Sequence, residues 1–82
     1  MNDTQLRAAV VAELRAIAPE VDGDALKDDR PLRRQVDLDS LDWLHFLVGL
    51  HERLAVEIPE ADYAQLATVN DLVSYLKARL SA

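Results

Sequence analysis

Within one short stretch the chain places Leu41, Trp43, Leu44, Phe46, Leu47, Val48, Leu50 and Leu54. At about 100° per residue these side chains occupy well over half of a helix circumference, and no alternation fits them to a strand. A helix this apolar packs on more than one side, so other helices must surround it. The residues just ahead of it, "DLDS", carry helix-start chemistry, because the oxygens of Asp39 or Ser40 can accept from the unpaired N–H groups of a first turn. A helix is therefore predicted from Ser40 to Leu54. Its polar strip of Asp42, His45, Gly49, Glu52 and Arg53 is narrow, and partner contacts are expected there.

Two further helices follow from spacing. Leu6, Val10, Leu14 and Ile17 form one stripe on a helix that starts near Asp3 or Thr4 and ends before Pro19. Near the other end, Thr68 and Asp71 make a variant capping box ahead of Val69, Leu72, Val73, Leu76 and Leu80. Residues 61–67, around Tyr63 and Leu66, fit only a short helix with Pro59 in its first turn. Residues 19–39 hold Gly23, Pro31 and several aspartates without a sustained period, which reads as a long loop. Val21, Leu26, Leu32, Val36 and Leu38 are its apolar pins, with a short helical turn around residues 24–27. The expected fold is all-α: a small four-helix bundle with three main helices, a short third helix and a long first loop, formed by residues 1–82 as one domain.

The formal charge of −6 argues against nucleic acid, whose phosphates are held by lysine and arginine, and favours a basic partner. Lys27, Arg30, Arg33 and Arg34 are offset by Asp28, Asp29, Asp37 and Asp39 and read as a solvated loop. With no cysteine the chain has neither disulfides nor thiolate metal sites, which fits a reducing compartment. No run resembles a signal peptide or a membrane span, so a soluble, cytoplasmic, monomeric protein is expected. Catalysis fails on geometry. Ser40 and His45 lie about 140° apart on a helix, and His45 and His51 about 240°, so neither pair shares a face as nucleophile and base or as metal ligands must. The chain is expected not to be an enzyme. His51 projects toward the apolar arc and has no function assigned to it.

A wider order of motifs stands out: "DLDSLDWL", then "LHERLAVEIPE", then "ATVNDLVSYLKARL". In this order and spacing the sequence, from about Leu32 to Leu80, resembles the acyl carrier proteins, the family that carries 4′-phosphopantetheine. The landmarks are the Asp-Ser-Leu triplet at Ser40, Leu50 to Leu54 at a helix end, Ile58-Pro59, and Thr68-Val69. The resemblance implies that a phosphopantetheinyl transferase attaches 4′-phosphopantetheine from coenzyme A to Ser40. It further implies partner recognition by Asp39, Leu41, Asp42, Trp43, His45 and Glu52, with Trp43 either a partner anchor or a core residue. An apolar shelter for the acyl chain would be lined by Leu44, Leu47, Val48, Tyr63 and Leu66.

Two departures matter. Asp37 stands where the family often has glycine, so the loop should reach Ser40 without a positive φ. His45, His51 and Arg53 interrupt the acidity of the second main helix. The function implied is a freestanding carrier that holds acyl or aminoacyl intermediates as thioesters and presents them to acyl-loading, condensing or acyl-transfer enzymes. Fatty acid, polyketide and nonribosomal peptide carriers share these motifs. The alternatives are a helical adaptor with Ser40 as an unmodified cap, and a carrier of phosphate at Ser40.

Overall fold

The computed structural model describes residues 1–81, and among them the regular structure is helical throughout. Helix α1 (Asp3–Ile17) is opened by Asn2, whose side chain accepts from the Gln5 N–H while the Gln5 side chain accepts from the Asn2 N–H. The helix starts at Asp3 as expected, but its cap is Asn2 and not Asp3 or Thr4. Leu6, Val10 and Leu14 on its inner face are fully buried, and Ile17 partly so.

The long connection to the central helix is more ordered than its composition predicted. It contains a 3-10 turn (Gly23–Ala25) and a single helical turn, α2 (Leu32–Gln35). Four residues are too few for periodicity to reveal, and α2 has no side-chain cap to announce it. The expected pins hold: Val21, Leu32, Val36 and Leu38 are buried, and Leu26 packs against the core. Polar contacts complete the fastening. Arg7 on α1 donates to Asp28 Oδ1 at 2.8 Å and to the Gly23 carbonyl at 2.9 Å. Gln35 accepts from the Lys27 N–H and donates to the Lys27 and Arg30 carbonyls. The Asn70 and Leu32 N–H groups bond to the Asp28 and Ala67 carbonyls, tying the connection to the far end of the chain.

Helix α3 (Ser40–Leu54) has the predicted bounds. Trp43, Phe46, Leu47 and Leu50 are buried, and the Trp43 and Phe46 rings meet at 5.1 Å between centroids. These four lie within about 100° of arc, so α3 buries one side only. The expectation of packing on several sides is corrected by Leu41, Leu44 and Val48, which are 59%, 42% and 40% exposed. The polar strip is also divided. Gly49 and Arg53 face α1, where Arg53 Nε donates to Glu13 and a Cβ at Gly49 would overlap that same carboxylate. Glycine costs about 1 kcal/mol in a helix interior; here it lets the Glu13 side chain cross α3.

The end of α3 turns on Ala55, which adopts a left-handed conformation (φ 52°, ψ 43°). His51, unassigned from sequence, supports the turn: its Nδ1 donates to the Val56 carbonyl at 2.7 Å, while the Val56 N–H returns to the His51 carbonyl. Left-handed backbone costs a residue with a Cβ about 1–2 kcal/mol, partly offset by the greater unfolded-state freedom of glycine. Ala55→Gly is therefore expected to stabilise by about 0.5 kcal/mol and raise the melting temperature by about 2–4 °C. A thermal melt that falls would contradict the strain.

The short third helix is a 3-10 segment (Glu60–Gln65), and Pro59 precedes it in extended conformation instead of occupying its first turn. Asp62 anchors it to the last helix by accepting from Tyr75 Oη at 2.6 Å and Arg79 at 2.9 Å. Burial, and then this hydrogen bond, push the Tyr75 phenol above its ordinary pKa, so it stays a donor well into the alkaline range. Helix α4 (Val69–Leu80) starts at the predicted Thr68–Asp71 capping box. Val69, Leu72 and Leu76 are fully buried, while Leu80 remains 39% exposed at its end. The core lies where α1, α3 and α4 meet, and the loop segment and 3-10 segment close its sides.

Candidate functional site

The start of α3 resolves which residue caps. Asp39 Oδ1 accepts from the Asp42 N–H at 2.8 Å, and Asp42 Oδ2 receives the Asp39 N–H at 3.4 Å, a reciprocal box built from two aspartates. Ser40 sits inside that box as the first helical residue. Its side chain is exposed and takes part in no hydrogen bond among the described residues. Trp43 makes the first backbone bond of the helix, to the Asp39 carbonyl, so the N–H groups of Ser40 and Leu41 precede the helical ladder. A negative group on the Ser40 oxygen would meet these donors and the positive end of the helix dipole, with the charges of Asp39 and Asp42 opposing it. The backbone approaches without positive φ at Asp37, as expected where an aspartate replaces the glycine frequent in the family.

Around Ser40 the predicted partner residues divide. Leu41, Asp39, His45 and Glu52 are exposed and Asp42 is half-buried. Trp43 is buried at 9% exposure against Phe46, so it is a core residue and not a surface anchor. Leu41, Leu44 and Val48 fall within about 60° on the outer face of α3, with His45 and Glu52 on one flank. Leu44, expected inside an acyl shelter, instead extends this outer stripe.

Of the other four shelter residues, Leu47, Val48 and Tyr63 line one pocket of about 120 Å³, together with His51, Glu57 and Ile58. Leu66 is buried and borders a different depression, beside Gln65, Asn70 and Tyr75. His51 and Glu57 were not anticipated in this pocket. Glu57 reaches it through the turn at Ala55, which no residue of typical turn chemistry signals.

Comparison with known proteins decides the family. The family model described as "Phosphopantetheine attachment site" matches residues 5–76. An acyl carrier protein of Campylobacter jejuni subsp. doylei is 37% identical over 68 residues, covering 83% of each chain. One from Lactobacillus acidophilus is 34% identical over 59 residues, covering 72% of this chain and 74% of that one. The chain belongs to the acyl carrier protein family. A solution structure from Anaplasma phagocytophilum, assigned as an acyl carrier protein, superposes with a TM-score of 0.82 at 28% identity, over 95% of this chain and 91% of that one. The Enterococcus faecalis acyl carrier protein, at 18% identity and a TM-score of 0.73, shares the fold. Acyl carrier proteins are carriers and not catalysts. They hold cargo through covalent 4′-phosphopantetheine and meet both a transferase and biosynthetic enzymes. No described helix is long and apolar enough to cross a membrane.

Proposed function

We propose that Ser40 is the residue that receives 4′-phosphopantetheine, and that the carrier acts through it as a freestanding, monomeric, cytoplasmic protein with residues 1–82 as one domain. The observation that carries this reading is the cap. Because Asp39 and Asp42 form the capping box between them, the exposed Ser40 hydroxyl is not needed as the cap. The adaptor alternative, which needs Ser40 as the cap, loses its physical motive. The prosthetic group supplies a thiol on a long arm, where acyl cargo is held as a thioester. The chain's own part is to expose the Ser40 oxygen at the edge of a rigid helix and to present no competing thiol, having no cysteine.

Relatives that share about four fifths of their length with this chain support a freestanding carrier. The absence of cysteine agrees with a reducing cytoplasm. An exposed apolar stripe of only three side chains is small against the roughly 800 Å² per partner of a stable interface, which supports a monomer. That stripe, Leu41, Leu44 and Val48, lies beside Ser40 and is rimmed by Asp39, Asp42, His45 and Glu52, a combination suited to transient partners with an apolar contact and basic groups. Intact mass tests the reading. After incubation with coenzyme A, Mg²⁺ and a broad-specificity phosphopantetheinyl transferase, the protein is expected to gain one phosphopantetheinyl group; an unchanged mass, with a known carrier modified in parallel, would overturn the reading.

A further inference from the structure

The charged surface divides by sign. Of the nine lysines and arginines, Arg7, Arg53, Lys77 and Arg79 each pair with a carboxylate on another segment of the chain. Lys27, Arg30, Arg33 and Arg34 fall together in residues 27–34, and all four are exposed. Gln35 gathers them into one corner. It accepts from the Lys27 N–H at 2.7 Å and donates to the Lys27 and Arg30 carbonyls at 2.8 and 3.0 Å, which holds their turn against α2, the bearer of Arg33 and Arg34. The offset expected from sequence is half removed, because Arg7 takes Asp28 and the cap of α3 takes Asp39. Among the described residues Lys27, Arg33 and Arg34 make no ion pair. Arg30 meets only Asp29, at 3.9 Å and with both side chains largely in water, where such a pair holds little. A chain of formal charge −6 thus keeps a basic island in its first loop.

We propose that this island docks an acidic patch of a partner protein. The inference rests on Ser40 as the attachment residue and adds the chemistry of what meets it: a protein serving Ser40 presents carboxylates to the first loop as well as basic groups to the α3 rim. Three of the four cations are arginines, whose planar fork matches a carboxylate bidentately. Helix α2 ends five residues before Ser40, a span of at most about 18 Å of extended chain. One interface of about 800 Å² per partner, roughly 30 Å across, therefore reaches both. The island is bounded along the chain by Asp22, Asp24 and Asp37, all exposed. A nucleic acid strand or an anionic membrane continues past the island and is repelled by these acids and by the net charge. A folded protein places a few carboxylates over the island and stops there. Two signs within one footprint also fix orientation, since a partner turned end for end sets like charges together.

The probe is a capped tetraglutamate peptide, titrated at low salt into the full chain labelled with nitrogen-15. Backbone amide signals of residues 27–35 and the Nε–H signals of Arg30, Arg33 and Arg34 are expected to shift together, and the shifts to fade as salt is raised. The double variant Arg33→Gln, Arg34→Gln, verified as folded by circular dichroism, is expected to bind about two- to thirtyfold more weakly. A single-stranded oligothymidylate and phosphatidylserine vesicles, titrated in parallel, are expected to shift the same signals less. No shift at residues 27–35, binding unchanged in the double variant, or oligothymidylate or vesicles binding there as tightly as the peptide would overturn the inference. Loading at Ser40 is read separately by intact mass. A protein that loads and ignores the peptide overturns the docking surface alone, and one that binds the peptide and never loads overturns the attachment reading.

Discussion

Ser40→Ala is expected to take up no phosphopantetheine while melting within about 1–2 °C of the parent. The fold tolerates the change because the Ser40 hydroxyl holds nothing: the cap is Asp39, and alanine is a somewhat better helix former than serine at an exposed position. Asp39→Ala provides the contrast. It removes the acceptor for the Asp42 N–H and is expected to cost about 1 kcal/mol, which in a domain of this size lowers the melting temperature by about 4–8 °C. Parallel melts and intact masses of the two variants separate the roles. If Ser40→Ala lost as much stability as Asp39→Ala, the hydroxyl would be a structural cap after all.

Phe46→Ala carries the largest expected effect on stability. The ring is fully buried, stacks against Trp43 and is among the largest completely enclosed side chains in the core. Removing it takes away its burial and leaves a cavity, a loss of about 3–5 kcal/mol. A chain of 82 residues has a total stability on the order of 4–12 kcal/mol, so the variant is expected to lose from about a quarter of that stability to all of it. Urea unfolding followed by circular dichroism measures this directly. Leu44→Ala, on the exposed stripe of the same helix, should move the midpoint little. A midpoint for Phe46→Ala near that of Leu44→Ala would mean that the core is not centred where the packing puts it.

How much of this was legible in the sequence depended on the range of the interaction involved. The bounds of α3 and the Thr68–Asp71 start of α4 were readable because apolar density and capping chemistry act over a few residues. The side of α3 that stays wet was not. An apolar residue reads the same whether it meets the core or a partner, and only the packed chain reveals that Leu41, Leu44 and Val48 face outward. Likewise, both Asp39 and Ser40 are good caps by composition, and backbone geometry was needed to assign the task to Asp39. The order of the first loop came from contacts invisible to local pattern, chief among them Arg7 reaching across to Asp28 and Gln35 closing on the Lys27 backbone. His51 was obscure for the same reason. Its partner is a backbone carbonyl presented by a left-handed alanine, where glycine would have been the usual signal.

Peptide-level mass spectrometry of the transferase-treated protein tests the central claim most directly. Trypsin releases residues 35–53 after Arg34 and Arg53, and in that peptide Ser40 is the only residue with a hydroxyl side chain. The account predicts that this peptide alone carries one phosphopantetheinyl group and that fragmentation places it on Ser40. The group found on any other peptide, or none on this one under conditions that modify a known carrier completely, would contradict it.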